Sequence, residues 1–351
     1  MAGGVGSRFW PLSRQKKPKQ FLDILGTGRT LLQMTFDRFS GICPVENFLV
    51  ITSAEYIDLV QEQLPQLKTE NIIGEPARRN TAPCVAYAAF LVKKKNPAAT
   101  MVVTPADHFV TDTESFRDII SHALTFAKDK MALITIGITP TRPETGYGYI
   151  QECTENEVEE GVKKVKTFTE KPDLKMAKIF IESGEFLWNA GIFVWSVKSI
   201  MYALKKYMPE MYFLFDDESK YYTSKEREFI ENVYTKVKAI SIDYGIMEKA
   251  EDVYVLPASI GWSDLGTWGS LFEHSEKDEN RNVFNSENVK IYNSSECIVK
   301  VQDSKLVVLN SVDNLIVAEA NGLLLISNKD EEQKIRQIVN DIKLDYGDDS
   351  I

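Results

Sequence analysis

The chain has 351 residues, of which 44% are hydrophobic, 26% charged and 11% aromatic. This composition is that of an ordinary globular protein, and it excludes the disordered, collagen-like and coiled-coil classes. Lys and Arg number 41 against 51 Asp and Glu, and the resulting net charge of −10 argues against nucleic acid or an anionic membrane as a partner.

The four cysteines are widely spaced without a Cys-x-x-Cys pair, and the three histidines are scattered. These spacings favour reduced thiols and argue against a disulfide framework or a zinc site. No apolar run reaches membrane-spanning length, and the amino terminus shows no signal-peptide pattern. We therefore expect a cytoplasmic protein that has no membrane partner.

Short apolar runs alternate with helical segments over the first 140 residues. The apolar runs are Phe48–Ile51, Asn71–Gly74, Thr100–Thr104 and Ala132–Ile136. One helix is predicted over 81–95, with Asn80 or Thr81 as its N-cap, and another over 116–127. This alternation indicates an α/β fold in which the sheet is Rossmann-like, doubly wound and parallel in this region.

The region from 145 to 275 is less regular and is expected to continue the same domain. Its predicted strands are Val162–Glu170, Ile192–Trp195 and Val253–Leu256, and its predicted helices lie near 173–183, 196–208 and 226–236.

The character of the sequence changes at about residue 283. Short strands then recur about every eight to ten residues, which is typical of a small β-solenoid or a meander. After them, Ile335, Ile338, Val339 and Ile342 fall at helical spacing and predict a closing helix. We expect a catalytic domain over 1–278 and a solenoid-like domain over 279–351.

The segment Ala2-Gly-Gly-Val-Gly-Ser-Arg8 is the first that suggests chemistry. Its glycines allow close approach of a ligand, and consecutive backbone N–H groups in such a turn form a cradle for an anion. Arg8 and Lys19 add positive charge, so a polyphosphate is the expected ligand. The segment is not a Walker loop, because Gly-Lys-Ser/Thr is missing, and no strand precedes it as a dinucleotide fingerprint requires. A tight loop without a ligand is the alternative.

Two aspartates and one ion pair are further candidates. Asp107 follows the apolar run that ends at Thr104, and ligands of open α/β sheets bind beyond the carboxyl ends of strands. A carboxylate there suits magnesium that bridges a triphosphate, and a helix cap is the alternative. Taken alone, Asp264 would be a helix N-cap, and Glu170 with Lys171 would be a surface charge pair.

Together, these segments resemble the sugar-1-phosphate nucleotidyltransferase family, and within it the members that transfer GMP to mannose 1-phosphate. The matching segments occur in family order over residues 2 to about 275. They are Gly3-Gly-x-Gly-x-Arg-x-x-Pro-Leu-Ser13, Pro18-Lys-Gln-Phe21, Gly74-Glu-Pro-x-x-x-Asn-Thr-Ala-Pro83, Pro105-Ala-Asp-His108, Arg142-Pro-Glu-Thr-Gly-Tyr-Gly-Tyr-Ile150, Phe168-Thr-Glu-Lys-Pro172, Trp188-Asn-Ala-Gly-Ile-Phe193, Ser241-Ile-Asp-Tyr244 and Trp262-Ser-Asp-Leu-Gly266.

The resemblance implies a mixed sheet of the nucleotide-diphospho-sugar transferase type, followed by a small β-helix-like domain. It implies that GTP and α-D-mannose 1-phosphate react to GDP-mannose and diphosphate, with Mg²⁺ as the cofactor. The sugar phosphate attacks the α-phosphorus in line, so no Ser or Cys nucleophile is needed. Relatives pack their C-terminal strands against another subunit, so a homodimer is expected.

The resemblance also implies roles for individual residues. Arg8, Lys19 and Lys171 are expected to be catalytic through their charge, and Asp107 and Asp264 to bind the metal. The nucleotide is expected to contact Ala2, Gly3, Gly4, Gly6, Ser7, Arg8, Lys19, Glu75, Asn80, Thr81, Ala82 and Asp107. The sugar phosphate is expected to contact Gly148, Glu170, Lys171 and Asn189. His108 and Asp243 are expected to lie behind the residues that touch substrate.

Several alternatives stay open. Asn80 and Thr81 either read guanine or only cap the helix that follows them. A nucleotidyltransferase for another base or sugar, or a sugar-nucleotide sensor without catalysis, would share the fold. Retention of Arg8, Lys19 and both aspartates favours an enzyme over a sensor.

The start of the sequence departs from the family pattern. Members usually begin with an apolar strand, the middle one of the sheet, and Met1 stands where that strand should end. We expect either a longer natural chain or the loss of a central strand, which would leave the protein unstable. Some long members carry a fused isomerase domain, for which this chain leaves no room, so a second activity is not expected.

Overall fold

A computed structural model of the chain describes residues 1–4, 6–159, 161–302 and 305–347. The chain forms two compact units. The first unit comprises Met1–Gly3, Arg38–Pro105 and Val110–Trp262, and the second unit comprises Gly4–Asp37, Ala106–Phe109 and Ser263–Ile351. These units are defined by which residues pack together. The expected functional boundary between residues 278 and 279 stays a prediction.

The strands are numbered in chain order. They are β1 (Val50–Ser53), β2 (Ile72–Glu75), β3 (Thr100–Val103), β4 (Phe109–Val110), β5 (Leu133–Ile138), β6 (Gly148–Glu159), β7 (Val162–Glu170), β8 (Phe186–Ser196), β9 (Val253–Ala258), β10 (Trp262–Ser263), β11 (Val283–Phe284), β12 (Val289–Tyr292), β13 (Ile298–Lys300), β14 (Val307–Asn310), β15 (Leu315–Ala320) and β16 (Leu323–Asn328).

The helices are numbered in the same way. They are α1 (Leu31–Arg38), α2 (Ile57–Gln63), α3 (Thr81–Lys95), α4 (Thr113–Lys128), α5 (Leu174–Ser183), α6 (Val197–Tyr207), α7 (Pro209–Phe215), α8 (Glu226–Lys236), α9 (Trp268–His274) and α10 (Ile335–Tyr346). A π-helical turn occupies Asp243–Met247.

The central sheet of the first unit is mixed, with the strand order β3-β8-β5-β9-β7-β6. Strand β5 pairs parallel with β9, whereas β8 lies antiparallel between β3 and β5. The early strands β3 and β5 are therefore parallel to each other, and β1 and β2 form a separate parallel pair. Strand β6 escaped prediction because its sequence after Ile150 carries no apolar run.

Neighbouring residues of β5 and β8 alternate between two hydrophobic clusters, as expected from the period of two in a strand. Leu133 and Trp195 pack with residues of α3, α6, α7 and α8. Ile134 and Val194 pack with residues of α4 and α5 instead. Helices thus cover both faces of the sheet, and the predicted doubly wound α/β fold is confirmed.

The first residues of the chain are bonded to strands of the first unit. The amino group of Met1 donates to the Thr104 carbonyl at 2.9 Å, just beyond β3. The Ala2 N–H donates to the Ile51 carbonyl of β1 at 2.8 Å, and the Thr52 hydroxyl donates to the Ala2 carbonyl at 2.9 Å. These bonds fix the beginning of the glycine-rich segment next to β1 and β3.

The C-terminal strands of the second unit form a solenoid, not a meander. Strands β11, β13 and β15 pair parallel in one sheet, and β12 pairs parallel with β14 in another. A meander would instead pair each strand antiparallel with the next. Among the described strands of this region, only β15 and β16 do so. Ile335 and Val339 of α10 are buried with the solenoid residues Ile298 and Ile316, which confirms the predicted closing helix.

The described part of the chain contains no helix that is both long and apolar enough to cross a membrane.

Candidate active site

The glycine-rich segment packs directly on the side chain of Lys19. Gly6 has a left-handed backbone with φ 72, and a Cβ there would lie 2.5 Å from the Lys19 Cβ. Both the conformation and the close approach therefore require glycine. After Gly6, the Phe9 N–H donates to the Gly6 carbonyl at 3.1 Å in a short turn over Ser7–Phe9. The Gln20 amide also donates to the Gly4 carbonyl, at 3.0 Å.

Arg8 is held by the segment that begins α9. Its Nη1 donates to the Gly266 carbonyl at 3.4 Å, and the Trp268 indole donates to the Arg8 carbonyl at 2.9 Å. Within the described chain, the buried Nε of Arg8 makes no hydrogen bond. Partial burial and the nearby charge of Arg8 lower the pKa of Arg336 on α10. A second guanidinium therefore lies near Arg8.

The Lys19 side chain is the centre of the charged cluster, by which we mean Arg8, Lys19, Asp107 and Asp264. This side chain is only 4% exposed. Its ammonium lies 3.0 Å from Asp107 Oδ2 and donates to the carbonyls of Asp264 at 2.7 Å and Leu265 at 3.1 Å. One buried cation thus joins three segments that are far apart in the sequence.

Asp107 is kept ionised by its neighbours. Burial alone would raise the pKa of its carboxyl, but the charges of Lys19 and His108 and the hydrogen bond from Lys19 bring the pKa below its ordinary value. His108 therefore lies close to Asp107, and its expected place behind the site stays a prediction.

Neither aspartate caps a helix, so the structural alternatives predicted for them are wrong. Asp112 caps α4, and Thr267 caps α9 in a capping box with Ser270. Asp264 instead bends back within its own turn, where its Oδ1 accepts from the Gly266 N–H at 3.0 Å.

No group of three or more His, Cys, Asp or Glu side chains suited to a metal occurs in the described residues. Asp107 and Asp264 are two carboxylates whose residues both contact the Lys19 ammonium. Each carries the hard oxygen donors that a divalent cation prefers, and their role as metal ligands stays a prediction.

The predicted sugar-phosphate residues come together in the first unit. Gly148 of β6 is the register partner of Glu170 in β7. A Cβ on Gly148 would lie 2.5 Å from Glu170 Oε2 and 3.3 Å from the Asn189 Cβ, so the backbone must approach both side chains closely. We call Gly148, Glu170, Lys171, Asn189 and Asp243 the Asn189 cluster.

Lys171 presents its charge from a strained backbone. Its φ is 49, which is uncommon for a residue with a side chain and is often found at functional positions. Its ammonium pairs with the Glu170 carboxylate, and its side chain is 57% exposed. Burial lowers the pKa of Lys171, but the hydrogen bond and charge of Glu170 outweigh burial and raise it.

Asp243 is a hydrogen-bond partner of Asn189, and its expected place behind the residues that touch substrate stays a prediction. The Asn189 Nδ2 donates to Asp243 Oδ1 at 2.9 Å. Burial and the charge of Glu170 raise the pKa of Asp243 to about 6, although Lys171 and the Asn189 bond act in the other direction. The π-helical turn that starts at Asp243 is a type of irregularity frequent at functional sites.

The loop expected to read guanine is tied to the segment before that turn. Asn80 is the N-cap of α3 and accepts from the Thr81 N–H at 2.8 Å. The Thr81 hydroxyl accepts from the Ile242 N–H at 2.9 Å, and the Ala82 N–H donates to the Ile240 carbonyl at 3.0 Å. Asn80 and Thr81 therefore have structural roles here, and contact with a base stays a prediction for them.

Glu75 is the one buried acid of this loop. It is 9% exposed, and its Oε1 accepts from the Tyr234 hydroxyl at 2.7 Å. Burial raises the pKa of Glu75 to about 7, although the Tyr234 bond acts in the other direction. Its Oε2 lies 3.8 Å from where a Cβ of Gly3 would stand.

The predicted site residues divide between the units as follows. The second unit holds Gly4, Gly6, Ser7, Arg8, Lys19, Asp107, His108 and Asp264, and the first unit holds Ala2, Gly3, Glu75, Asn80, Thr81, Ala82, Gly148, Glu170, Lys171, Asn189 and Asp243. Sequence reasoning missed Trp268, Arg336 and Thr135, whose hydroxyl bonds Asn189. The only sequence signal for Thr135 is a polar residue inside the apolar run of β5.

A pH-dependent stability is expected from Glu75. Because its pKa rises from 4.5 to about 7 on folding, its contribution is fully present below about 4.5 and is lost as the pH rises through about 7. Between about pH 5.5 and about pH 8, the free energy of unfolding of the wild type should fall about 2 kcal/mol more than that of Glu75→Gln. Urea denaturation at both pH values measures this, with the exposed Glu210→Gln as control. Parallel pH profiles for wild type and Glu75→Gln would contradict the expectation.

Comparison with known proteins confirms the family suggested by the motifs. The nucleotidyl transferase family model matches residues 1–281. The chain is 38% identical to mannose-1-phosphate guanylyltransferase of Escherichia coli K12, over 98% of this chain and 73% of that protein. It is 37% identical to alginate biosynthesis protein AlgA of Pseudomonas putida, over 97% of this chain and 70% of that protein.

A solved structure agrees along nearly the whole chain. The crystal structure of mannose-1-phosphate geranyltransferase from Thermus thermophilus matches with a TM-score of 0.86 and 31% identity, and the match covers 98% of both chains. Since the family model covers most of the sequence and the relatives match nearly all of it, the chain belongs to the nucleotidyl transferase family.

Proposed function

We propose that this protein transfers GMP from GTP to α-D-mannose 1-phosphate, forming GDP-mannose and releasing diphosphate. The observation that carries the proposal is the buried Lys19 ammonium between the Asp107 carboxylate and the Asp264 carbonyl. This charged group is suited to binding a triphosphate, and the chain belongs to the nucleotidyl transferase family. The choice of GTP and mannose rests on the names of relatives, such as the Escherichia coli guanylyltransferase at 38% identity.

The charged cluster is assigned to GTP. Two anions must be held together in the reaction, so the protein's part is to position them and to spread negative charge. Arg8 has a buried Nε with no hydrogen bond in the described chain, which suits a phosphate oxygen as its partner. Backbone N–H groups of Gly4, Gly6 and Ser7 add further donors.

Lys19 acts under a constraint of its own. An ammonium group has three donors, and the Lys19 ammonium already contacts three acceptors, on Asp107, Asp264 and Leu265. A direct contact with a phosphate oxygen therefore replaces one of these acceptors. In either state Lys19 keeps at least two of these three contacts.

The family implies a divalent metal, and we assign Mg²⁺ to Asp107 and Asp264. The donor set fits, because both groups are carboxylates and the lowered pKa of Asp107 keeps it charged. When bound, Mg²⁺ would supply positive charge that offsets the negative charge of the phosphates. Lys19 holds the two aspartate segments together.

The Asn189 cluster is assigned to the acceptor. The phosphate of mannose 1-phosphate is already anionic near neutral pH, so no strong general base is needed, and Lys171 is assigned to it. Glu170 and Asn189 are assigned to sugar hydroxyls. The loop from Glu75 to Ala82 is assigned to guanine, with Glu75 as an acceptor for the N1–H and N2–H₂ donors of the base.

A crossed substrate assay tests the proposed function. Diphosphate release is measured for GTP, ATP, UTP and dTTP, each with mannose 1-phosphate and glucose 1-phosphate. Release should be fastest by far for GTP with mannose 1-phosphate and should require Mg²⁺. Faster release with another pair would replace the proposed substrates. Binding of GDP-mannose without release from any pair would identify a sensor instead of an enzyme.

A homodimer is also proposed, through the solenoid. Leu306, Val308, Leu324 and Ile326 are each more than half exposed, and they line a groove of about 670 Å³. Strand β16 is also an edge strand of its sheet. A contiguous exposed apolar surface favours contact with another protein, and a two-fold dimer would cover the same surface on both copies.

Sedimentation equilibrium should show a dimer that Ile326→Asp converts to a monomer. A monomeric wild type would contradict the proposal.

A further inference from the structure

Strand β8 contains an irregularity that aims Asn189. Thr135 of β5 is paired with Phe193 and Gly137 with Asn189, so β8 places three residues where β5 places one. Gly191, within this bulge, has a left-handed backbone with φ 67. Bulges are over-represented next to active sites, where they redirect a side chain.

Three hydrogen bonds determine which way the Asn189 amide points. Its Oδ1 accepts from the Thr135 hydroxyl at 2.8 Å and from the Gly191 N–H at 3.1 Å. Its Nδ2 donates to Asp243 Oδ1 at 2.9 Å. A flipped amide would set its NH₂ against the Gly191 N–H and its oxygen against the Asp243 carboxyl oxygen, so this orientation is strongly preferred.

The same bonds decide what Asn189 offers to a ligand. An amide oxygen has two acceptor positions, and Thr135 and Gly191 occupy both. The NH₂ group has two donors, and Asp243 takes one of them. The side chain is therefore left to act toward a ligand as a donor, while the neighbouring Glu170 carboxylate acts as an acceptor.

The Thr135 hydroxyl is buried and therefore needs a hydrogen-bond partner inside the protein. It is 0% exposed, and its neighbours in β5 are apolar. Besides Asn189, the Ile192 carbonyl at 3.4 Å is its other hydroxyl partner. A buried hydroxyl is costly unless it is bonded, so its presence in this strand points to a role in the bond to Asn189.

We propose that Thr135 and Asp243 are positioning residues that fix the Asn189 amide with its nitrogen toward the sugar 1-phosphate. The resulting site pairs a fixed donor, Asn189, with a fixed acceptor, Glu170. A sugar hydroxyl, or two adjacent ones, can accept from the first and donate to the second. This inference rests on the proposed function and deepens its sugar-binding side.

Steady-state kinetics of the full chain test the inference, with Thr135→Val, Thr135→Ser and Asp243→Ala made singly and in an Asn189→Ala background. Thr135→Val keeps the shape and removes the hydroxyl, and it should raise the KM for mannose 1-phosphate about three- to tenfold. The KM for GTP should stay within about twofold. Thr135→Ser restores the hydroxyl and should recover most of the lost affinity. In the Asn189→Ala background, Thr135→Val should change neither KM appreciably.

Three results would overturn the inference. These are an unchanged KM for mannose 1-phosphate in Thr135→Val, an equal rise in both KM values, or an undiminished effect in the Asn189→Ala background. If Thr135→Val does not fold, Asp243→Ala tests the inference instead. Its KM for mannose 1-phosphate should rise while its KM for GTP stays within about twofold. If the crossed assay identifies glucose 1-phosphate as the substrate, the proposal of mannose 1-phosphate fails. The KM values of these variants are then measured with glucose 1-phosphate, and they still test the roles of Thr135 and Asp243. If neither sugar is turned over, both proposals fail.

Discussion

Three segments far apart in the sequence meet at the ammonium nitrogen of Lys19. Burying an unpaired ammonium group costs roughly several kcal/mol. The buried Lys19 ammonium therefore needs hydrogen-bond acceptors around it. Asp107 supplies a carboxylate, and Asp264 and Leu265 supply carbonyls. Removing one partner of a buried ion pair typically costs about 3 to 5 kcal/mol, because the other charge is left uncompensated. The geometry of the charged cluster and the stability of the second unit are therefore coupled.

The rest of the second unit supports this contact. Gly6 leaves room for the Lys19 side chain, and the Trp268 indole fixes the Arg8 carbonyl. Trp268 itself is fully buried among solenoid residues and Phe9. The amino-terminal segment, the Asp107 segment and the C-terminal strands consequently form one compact unit, although the sequence suggested a simple division near residue 279. Packing on the solenoid thus contributes to holding the residues expected to bind a nucleotide.

Much of the site could be predicted from the sequence, because motifs mark the residues that chemistry needs. Lys19, Asp107 and Asp264 were each identified, but their mutual contact depends on tertiary packing that no local pattern encodes. Asn80 behaves as the helix cap that its position suggested, so the motif there also has a structural cause. Thr135 could not be identified from the sequence, because threonine is β-branched and is common in strands without any functional role. Its function is set by a bulge in β8, and bulges leave no reliable mark in a single sequence.

We expect Lys19 and Asp107 to work as one unit in the reaction, and a double-mutant cycle on kcat/KM measures this coupling. Lys19→Met and Asp107→Asn should each lower kcat/KM by at least about a hundredfold, the usual effect of losing one electrostatic contact in a reaction centre. The double variant should fall no more than about threefold below the worse single variant, since residues that act together are strongly non-additive. Lys17→Met, exposed and two positions away, should behave like wild type. If the two losses instead multiply to about ten-thousandfold, the two residues act independently, and their coupling is disproved.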